Sequence, residues 1–276
     1  NTTTSTDDYW SQLGSDINGD ATSDSFGKSV SLSSDGTIMA VGAYRTLFDT
    51  LVNPSYVRVF EWDGTSWNQL GSDIEADEAY ISFGTSVSLS SSGTILAVGA
   101  PFADSDGGTG SDRTNAGEVK VYEWDGISWS QLGSELTNYI TQGNAGTSVS
   151  LSDDGTIVAF GAPCNDGSDE GEVQVYEYDG TDWNQLGSGV SGSDQDGNFG
   201  FSVSLSSDGT IMAVGAYLND DGGSNAGEVR VFEYDGTDWN QIGSDIVGET
   251  ASDQSGHSVS LSSDGTIVAI GGPYNA

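Results

Sequence analysis

Two aspartate-rich loops hold the side chains of this 276-residue chain that are best suited to chemistry. Alternating carboxylate and amide oxygens on a glycine-rich loop are the ligands that calcium requires. These residues are Asp104, Asp106 and Asp112 in the first loop, and Asp194, Asp196 and Asn198 in the second. Neither loop has the EF-hand pattern, because no Glu stands at its twelfth position. The loops therefore predict calcium as a candidate cofactor, and solvated acidic loops are the alternative.

Residues for nucleophilic or acid–base catalysis are few. His257 is the only histidine, and no serine or cysteine pairs with it in a recognisable motif, so we expect a surface residue. Cys164 is the only cysteine, which excludes an internal disulfide and predicts a small loop side chain. The chain is therefore predicted not to be an enzyme. A glycosidase with paired carboxylates stays open as an alternative, since aspartates are abundant.

The charge of the chain restricts its partners. Forty-two acidic residues against six Lys and Arg give a formal net charge of −36. Such a surface repels nucleic acids and anionic membranes, and it favours divalent cations. The chain has no run of 18 apolar residues, so we predict no insertion into a membrane. We expect a secreted, extracellular protein, with Asn1 in a glycosylation sequon and a start that resembles a processed product.

A repeated segment indicates the kind of fold that holds the two aspartate-rich loops. Ser-Val-Ser-Leu-Ser begins at residues 29, 86, 148, 202 and 258, and each copy is followed by Gly-Thr-Ile and then Gly-Ala or Gly-Gly. A period in the fifties fits one four-stranded sheet per repeat, the blade of a β-propeller.

One repeat can be divided into four strands. Residues 202–206 alternate polar with apolar (strand A), 210–216 form strand B, 229–234 strand C and 239–246 strand D. Asp208-Gly209 and Asp235-Gly236 predict tight two-residue hairpin turns between A and B and between C and D. The Ala and Gly positions of strand B are where neighbouring blades should approach closely.

The prediction is an all-β, five-bladed β-propeller of four-stranded antiparallel blades in a single domain, 1–276. Blades cover about 29–74, 86–136, 148–190 and 202–246, and the closing blade joins 1–17 to 258–276. That closing blade takes strands A and B from the C-terminus and C and D from the N-terminus, with residues 1–5 as strand C. Two alternatives stay open. In one, the chain is a piece of a longer propeller. In the other, the N-terminal C–D hairpin completes a blade of a neighbouring molecule, which would produce head-to-tail filaments.

Short motifs around strands A and B resemble a known family. Phe26-Gly27 and Phe83-Gly84, with Gly99-Ala-Pro101 and Gly161-Ala-Pro163, are similar to FG-GAP repeats of integrin α-subunit propellers and of secreted microbial and algal proteins. The resemblance implies a propeller. It does not extend to the family's calcium loop between strands A and B, where this chain has a short Ser-Asp-Gly turn. Seven integrin-type blades do not fit the five repeats either.

The two rims of such a propeller differ in this chain. A–B and C–D turns share one nearly constant rim, while the D–A and B–C connections vary in length and content on the other. Variable loops on a rigid scaffold are a usual place for recognition. We therefore predict a non-catalytic extracellular binding or structural module, related to adhesion or assembly, with protein or glycan partners. The alternatives are a filament subunit, a lectin with one sugar site per blade, or a glycosidase.

Overall fold

The chain forms antiparallel β-sheets throughout the part that the structure describes. This computed structural model describes residues 11–21, 24–44, 55–77, 81–104, 115–137, 142–164, 170–194 and 197–275. Twenty-one strands and no helix occur in these ranges. Within the same ranges, therefore, no helix has the length and apolarity needed to cross a membrane.

The strands repeat in five units. Unit 1 contains β1 (Ser29–Leu32), β2 (Ile38–Ala43), β3 (Tyr56–Trp62), β4 (Trp67–Gln69) and β5 (Ile74–Glu75). Unit 2 contains β6 (Ser86–Leu89), β7 (Ile95–Ala100), β8 (Glu118–Trp124) and β9 (Trp129–Gln131). Unit 3 contains β10 (Ser148–Leu151), β11 (Ile157–Ala162), β12 (Glu172–Tyr178), β13 (Trp183–Gln185) and β14 (Val190–Ser191). Unit 4 contains β15 (Ser202–Leu205), β16 (Ile211–Ala216), β17 (Glu228–Tyr234), β18 (Trp239–Gln241) and β19 (Ile246–Val247). Unit 5 contains β20 (Ser258–Leu261) and β21 (Val268–Gly271).

Strands A to D pair in sequence order within a unit, as predicted. Strand A pairs with B in the register Val203↔Val214, and B with C in the register Val214↔Arg230. Apolar side chains from facing sheets form the cores between consecutive units. Val175 of unit 3, for example, lies in one cluster with Val203 and Met212 of unit 4. The core is therefore a series of layers between sheets.

The two kinds of hairpin turn differ from each other. At the C–D turn, Asp235 N donates to Asp238 O (3.1 Å), so the loop has two residues as predicted, but they are 236 and 237, one position later than Asp235-Gly236. Gly236 has φ +95°. At the A–B turn, Ser206 N donates to Ile211 O (2.9 Å), so four residues connect the strands and the two-residue prediction is wrong there. Among the residues of this turn, Gly209 alone has positive φ. Asp208 lies outside the left-handed region, and its carboxylate accepts hydrogen bonds from Ser206 Oγ and Thr210 N.

Strand D is interrupted, which differs from the continuous strand predicted for 239–246. Gln241 pairs with Phe232 and Ile246 pairs with Val229, so four residues of strand D face two of strand C. The intervening Gly243 has φ +75°, which glycine adopts readily because it has no Cβ. The resulting bulge brings Asp245 to the start of strand C.

Four junctions between units repeat the same contact. Ser29 Oγ donates to Gly84 O (2.7 Å), and Ser86, Ser148 and Ser202 make the equivalent bond to the next unit at 2.7–2.8 Å. No such bond joins unit 5 to unit 1 in the described ranges. The side chains that such a junction would cover are exposed: Val30 is 62% exposed, Leu32 57% and Ile267 68%. Residues 1–5, which were predicted to complete the closing blade, lie outside the described residues.

Candidate functional site

The five units converge on one pocket at the variable rim, which we call the axial pocket. Its volume is about 510 Å³. Each unit contributes the residue that precedes strand A; these are Lys28, Thr85, Thr147, Phe201 and His257. Residues that follow strand B complete the lining together with Asn144 and Asn198; they are Tyr44, Pro101, Phe102, Pro163, Cys164 and Tyr217.

A glycine before each of these first five positions explains their placement. Gly200 has φ +91°, and its N–H donates to Gly215 O (3.1 Å) at the end of strand B. The carbonyl of Gly200 accepts the bond from Ser148 Oγ of the previous unit. The glycine therefore holds the chain between two units at the turn into strand A, and Phe201 follows it directly.

Units 4 and 5 form an aromatic wall in the axial pocket. The rings of Phe201 and Tyr217 lie 4.4 Å apart between centroids, and His257 lies 5.0 Å from Phe201 and 5.4 Å from Tyr217. Burial raises the pKa of the Tyr217 phenol, and a hydrogen bond with the Asn198 side chain opposes that rise. Tyr217 is therefore a neutral phenol at neutral pH, beside polar groups from Asn198 and His257.

Three of the residues predicted to bind calcium, Asp104, Asp194 and Asn198, lie in the described part of the chain. Asp104 Oδ1 accepts a hydrogen bond from Asn115 N (3.2 Å), and Asp194 Oδ2 accepts one from Asp220 N (2.9 Å). Asn198 lines the axial pocket and has φ +56°. The remaining predicted ligands and the glycosylation site lie outside the described residues; they are Asp106, Asp112, Asp196 and Asn1. Calcium at these two loops stays a prediction.

A different group of carboxylates does come together, at the outer part of unit 4. Asp221, Glu228 and Asp245 each place a carboxylate oxygen within 4.8 Å of the others. Glu228 opens strand C and is buried, whereas Asp221 and Asp245 are exposed. Sequence reasoning missed this cluster. Its one local signal is Glu228-Val-Arg230, an acid and a base on the same face of a strand.

Strand C carries a charged or polar pair at the same two positions in other units. Lys120 Nζ contacts Glu118 (3.1 Å) and Asp77 (2.8 Å), and burial of Glu118 raises its pKa against the attraction of Lys120. In unit 1, where Tyr56 replaces the glutamate, Arg58 pairs with both oxygens of Asp73 at 2.8 Å. These pairs satisfy the buried charges at the rim ends of strands C.

The comparisons with known proteins agree with this geometry. The FG-GAP repeat family model matches residues 187–232, from the interruption of strand D in unit 3 into strand C of unit 4. This segment of the chain is similar to an FG-GAP repeat. Within it, buried Phe199 packs edge-on against Phe232 at 6.1 Å, and Gly200 makes the turn into strand A. No curated protein matches the sequence.

Two solved structures are similar to this chain in fold. The periplasmic gluconolactonase PpgL of Pseudomonas aeruginosa has a TM-score of 0.60 at 16% identity, over 88% of this chain. The chain spans 64% of the length of that enzyme. Hydrazine synthase of Kuenenia stuttgartiensis has a TM-score of 0.53 at 13% identity, over 90% of this chain and 71% of that one. Both are β-propeller proteins, so the likeness shows the propeller-type fold alone.

Proposed function

We propose that the protein is a non-catalytic, extracellular binding module that takes a neutral glycan in the axial pocket. The observation that carries the proposal is the aromatic wall of Phe201, Tyr217 and His257 in a concave site of about 510 Å³. Ring faces pack against the C–H face of a sugar, while hydroxyl and amide groups at their edges bond to its hydroxyls. Asn144 and Asn198 supply amides in the same pocket.

Charge supports a neutral ligand. The protein has a net charge of −36, and among the described residues that line the axial pocket Lys28 is the one Lys or Arg. An anionic sugar or nucleotide would approach against a strongly negative field. The variable B–C and D–A connections around the pocket are the surface on which specificity for an adhesion partner would be built.

A glycan microarray with the purified full chain tests the proposal. We expect binding to neutral oligosaccharides, reduced at least tenfold in Tyr217→Ala and in Phe201→Ala. Tyr274→Ala is the matched control, because Tyr274 is 68% exposed and does not line the pocket. Absence of any glycan binding overturns the proposal, as does equal binding by all three variants. Binding of anionic glycans alone would also contradict it.

A lactonase is a second candidate, because the structurally similar gluconolactonase is an enzyme and because His257 and Cys164 both line the axial pocket. Incubation with gluconolactone tests it directly. The binding proposal predicts no hydrolysis above the buffer rate. Hydrolysis by the wild-type chain that disappears in His257→Ala would establish the enzyme instead.

For the architecture, we propose that five blades close into a ring when the N-terminal hairpin joins unit 5. A groove of about 260 Å³ lies on unit 4, where Val231 and Ile242 face Leu261 of unit 5. In unit 4 itself, Trp239 packs on unit 3 and its Nε1 donates to Leu186 O (2.8 Å). Trp10 is the equivalent tryptophan for unit 5, and the carbonyl of Ile242 is the equivalent acceptor. By analogy with the other units, we expect the hairpin that contains Trp10 to fill this groove.

The same hairpin can come from the chain itself or from a neighbour, and a deletion separates the two. If the chain closes its own ring, the wild type sediments as a monomer, and deletion of residues 1–10 lowers its melting temperature. If a neighbour supplies the hairpin, the wild type forms filaments that the deletion abolishes. A deletion that changes neither mass nor stability would overturn the closure proposal in both forms.

A further inference from the structure

We propose that Asp221, Glu228 and Asp245 form a calcium site on the outer part of unit 4, apart from the axial pocket. It differs from the two loops in which the sequence predicts calcium. It also lies on the rim opposite to the A–B turns, where FG-GAP calcium loops are expected. Three segments build it: the connection after strand B, the first residue of strand C and the bulge of strand D.

The Glu228 side chain points to a missing ligand. It is 1% exposed, and neither of its carboxylate oxygens has a hydrogen-bond partner. The Glu228 carboxylate forms an ion pair with Arg230, whose Nε lies 3.0 Å from Oε1 of Glu228 but without hydrogen-bond geometry. A buried carboxylate without donors is costly, and a metal ion is one of the few groups that satisfies it.

Arg230 does not neutralise the cluster. Its guanidinium lies 4.2 Å from the centroid of the Phe199 ring, and Nη2 donates to Ser191 O (3.3 Å), so other groups hold it in place. Three carboxylates beside one guanidinium leave two negative charges for a divalent cation. Burial raises the pKa of the Glu228 carboxyl, the charge of Arg230 opposes that rise, and the neighbouring Asp245 and Asp221 carboxylates add to it. An ion in the cluster would remove that repulsion.

The spacing and the surroundings fit calcium. Oxygens within 4.8 Å of one another can share one ion at Ca–O distances of about 2.3–2.6 Å. The backbone that carries Asp221 is held by its neighbours, because Asn219 Oδ1 accepts from Asp221 N (2.8 Å) and Asp220 Oδ1 accepts from Asn225 N (2.7 Å). This connection starts at Tyr217, so calcium would also brace one wall of the axial pocket.

Among the residues that the structure describes, unit 3 has the same strand position without the cluster. Glu172 opens its strand C and accepts a hydrogen bond from Gln174 Nε2 (3.3 Å). The position equivalent to Asp245 is Gly189, which has no side chain to offer. Glu172→Gln therefore removes a matched half-buried carboxylate from outside the proposed site, and it serves as the control.

The test measures calcium binding and melting temperature of the chelator-treated full chain. We expect Asp221→Asn and Asp245→Asn to lose one bound calcium per chain or to bind it at least tenfold more weakly, while Glu172→Gln binds like the wild type. Both variants alter exposed side chains, so they should fold. Without calcium, Asp245→Asn should melt no lower than the wild type, because it relieves repulsion; with calcium, it should melt lower.

Two results would overturn the proposal. One is unchanged calcium binding in both aspartate variants. The other is an equal loss in Glu172→Gln, which would indicate a general effect of surface charge. Glycan binding is measured separately at the axial pocket, so failure of one proposal does not decide the other.

Discussion

At the scale of single residues, aspartate organises the A–B turns through its carboxylate. Asp208 Oδ1 accepts from Ser206 Oγ (2.7 Å), Thr210 N (3.1 Å) and Thr210 Oγ1 (2.8 Å). Unit 2 has Ser92 at this position, and its hydroxyl bonds with Ser90 and Thr94. A short polar side chain that bridges both sides of the turn is therefore what the position requires.

Asp208→Ala should lower the free energy of unfolding by about 1 kcal/mol, because three hydrogen bonds at a partly solvated turn are lost. Asp208→Ser should recover at least half of that loss, since serine occupies the equivalent position in unit 2. Urea unfolding followed by tryptophan fluorescence measures both. If the serine variant were as unstable as the alanine variant, bridging by the side chain would not explain the position.

The turn aspartates also predict how stability depends on pH. Hydrogen bonds from Thr266 and Ser262 lower the pKa of Asp264 to about 2, and those around Asp208 and Asp235 lower theirs. A carboxyl with a lowered folded-state pKa stabilises the fold above its unfolded value of 3.8 and loses that contribution as the pH falls through the folded value. We expect the free energy of unfolding to decrease between pH 4 and pH 2. Urea unfolding at pH 4, 3 and 2 checks this, and constant stability over that range would contradict it.

At the scale of the strand, the end of strand B is where two units interlock. A Cβ on Gly215 would overlap the carbonyl oxygen of Gly256 in the next unit, and Gly99 and Gly161 meet the next unit in the same way. The prediction that strand B glycines mark close approach is confirmed there. No side chain fits, because the space is filled by backbone that also accepts a bond from strand A.

Gly215→Ala should therefore lower the free energy of unfolding by about 2–3 kcal/mol, since the two backbones must move apart. Gly236→Ala is the control: Gly236 has φ +95°, but a Cβ there meets nothing within 4 Å, so only its backbone conformation is disfavoured. Thermal unfolding of the two variants should rank Gly215→Ala as the less stable. The reverse order would show that the junction is looser than the structure indicates.

At the scale of the whole molecule, charge opposes compactness. The net charge of −36 is spread over a protein with three buried or half-buried basic residues at strand C, Arg58, Lys120 and Arg230. Most acidic side chains therefore have no basic neighbour, and self-repulsion favours the unfolded chain.

Sodium chloride should consequently raise the melting temperature at pH 7 by several degrees between about 0.1 M and about 1 M, as the Debye length falls from about 10 Å to about 3 Å. A chelator in all samples excludes a contribution from calcium. The same titration near the sequence pI of about 4.1 should show little effect, because the net charge is then small. A salt effect of equal size at both pH values would contradict the charge explanation.

Much of the fold could be predicted from local patterns. Strands A, B and C were predicted to within a residue or two in unit 4, because period-two alternation and Gly-containing turns are set by neighbouring residues. The continuous strand D and the two-residue A–B turn were wrong. Backbone hydrogen bonds mark the actual path at both places: Ile242 N donates to Val231 O at the bulge, and Ser206 N donates to Ile211 O across the four-residue turn.

By itself, the sequence determined the all-β repeat, the turn positions and the rim on which variation is concentrated, since each depends on residues close together in the chain. Only the tertiary structure decided which distant residues meet. Lys28 and His257 share one pocket although most of the chain separates them, and Asp245 joins Asp221 and Glu228 because a bulge carries it back to strand C. The Glu228-Val-Arg230 pattern marks only one of the three, and nothing in the local pattern singles out the two aspartates among 42 acidic residues. Their positions follow from how sheets pack, which residue spacing alone does not specify.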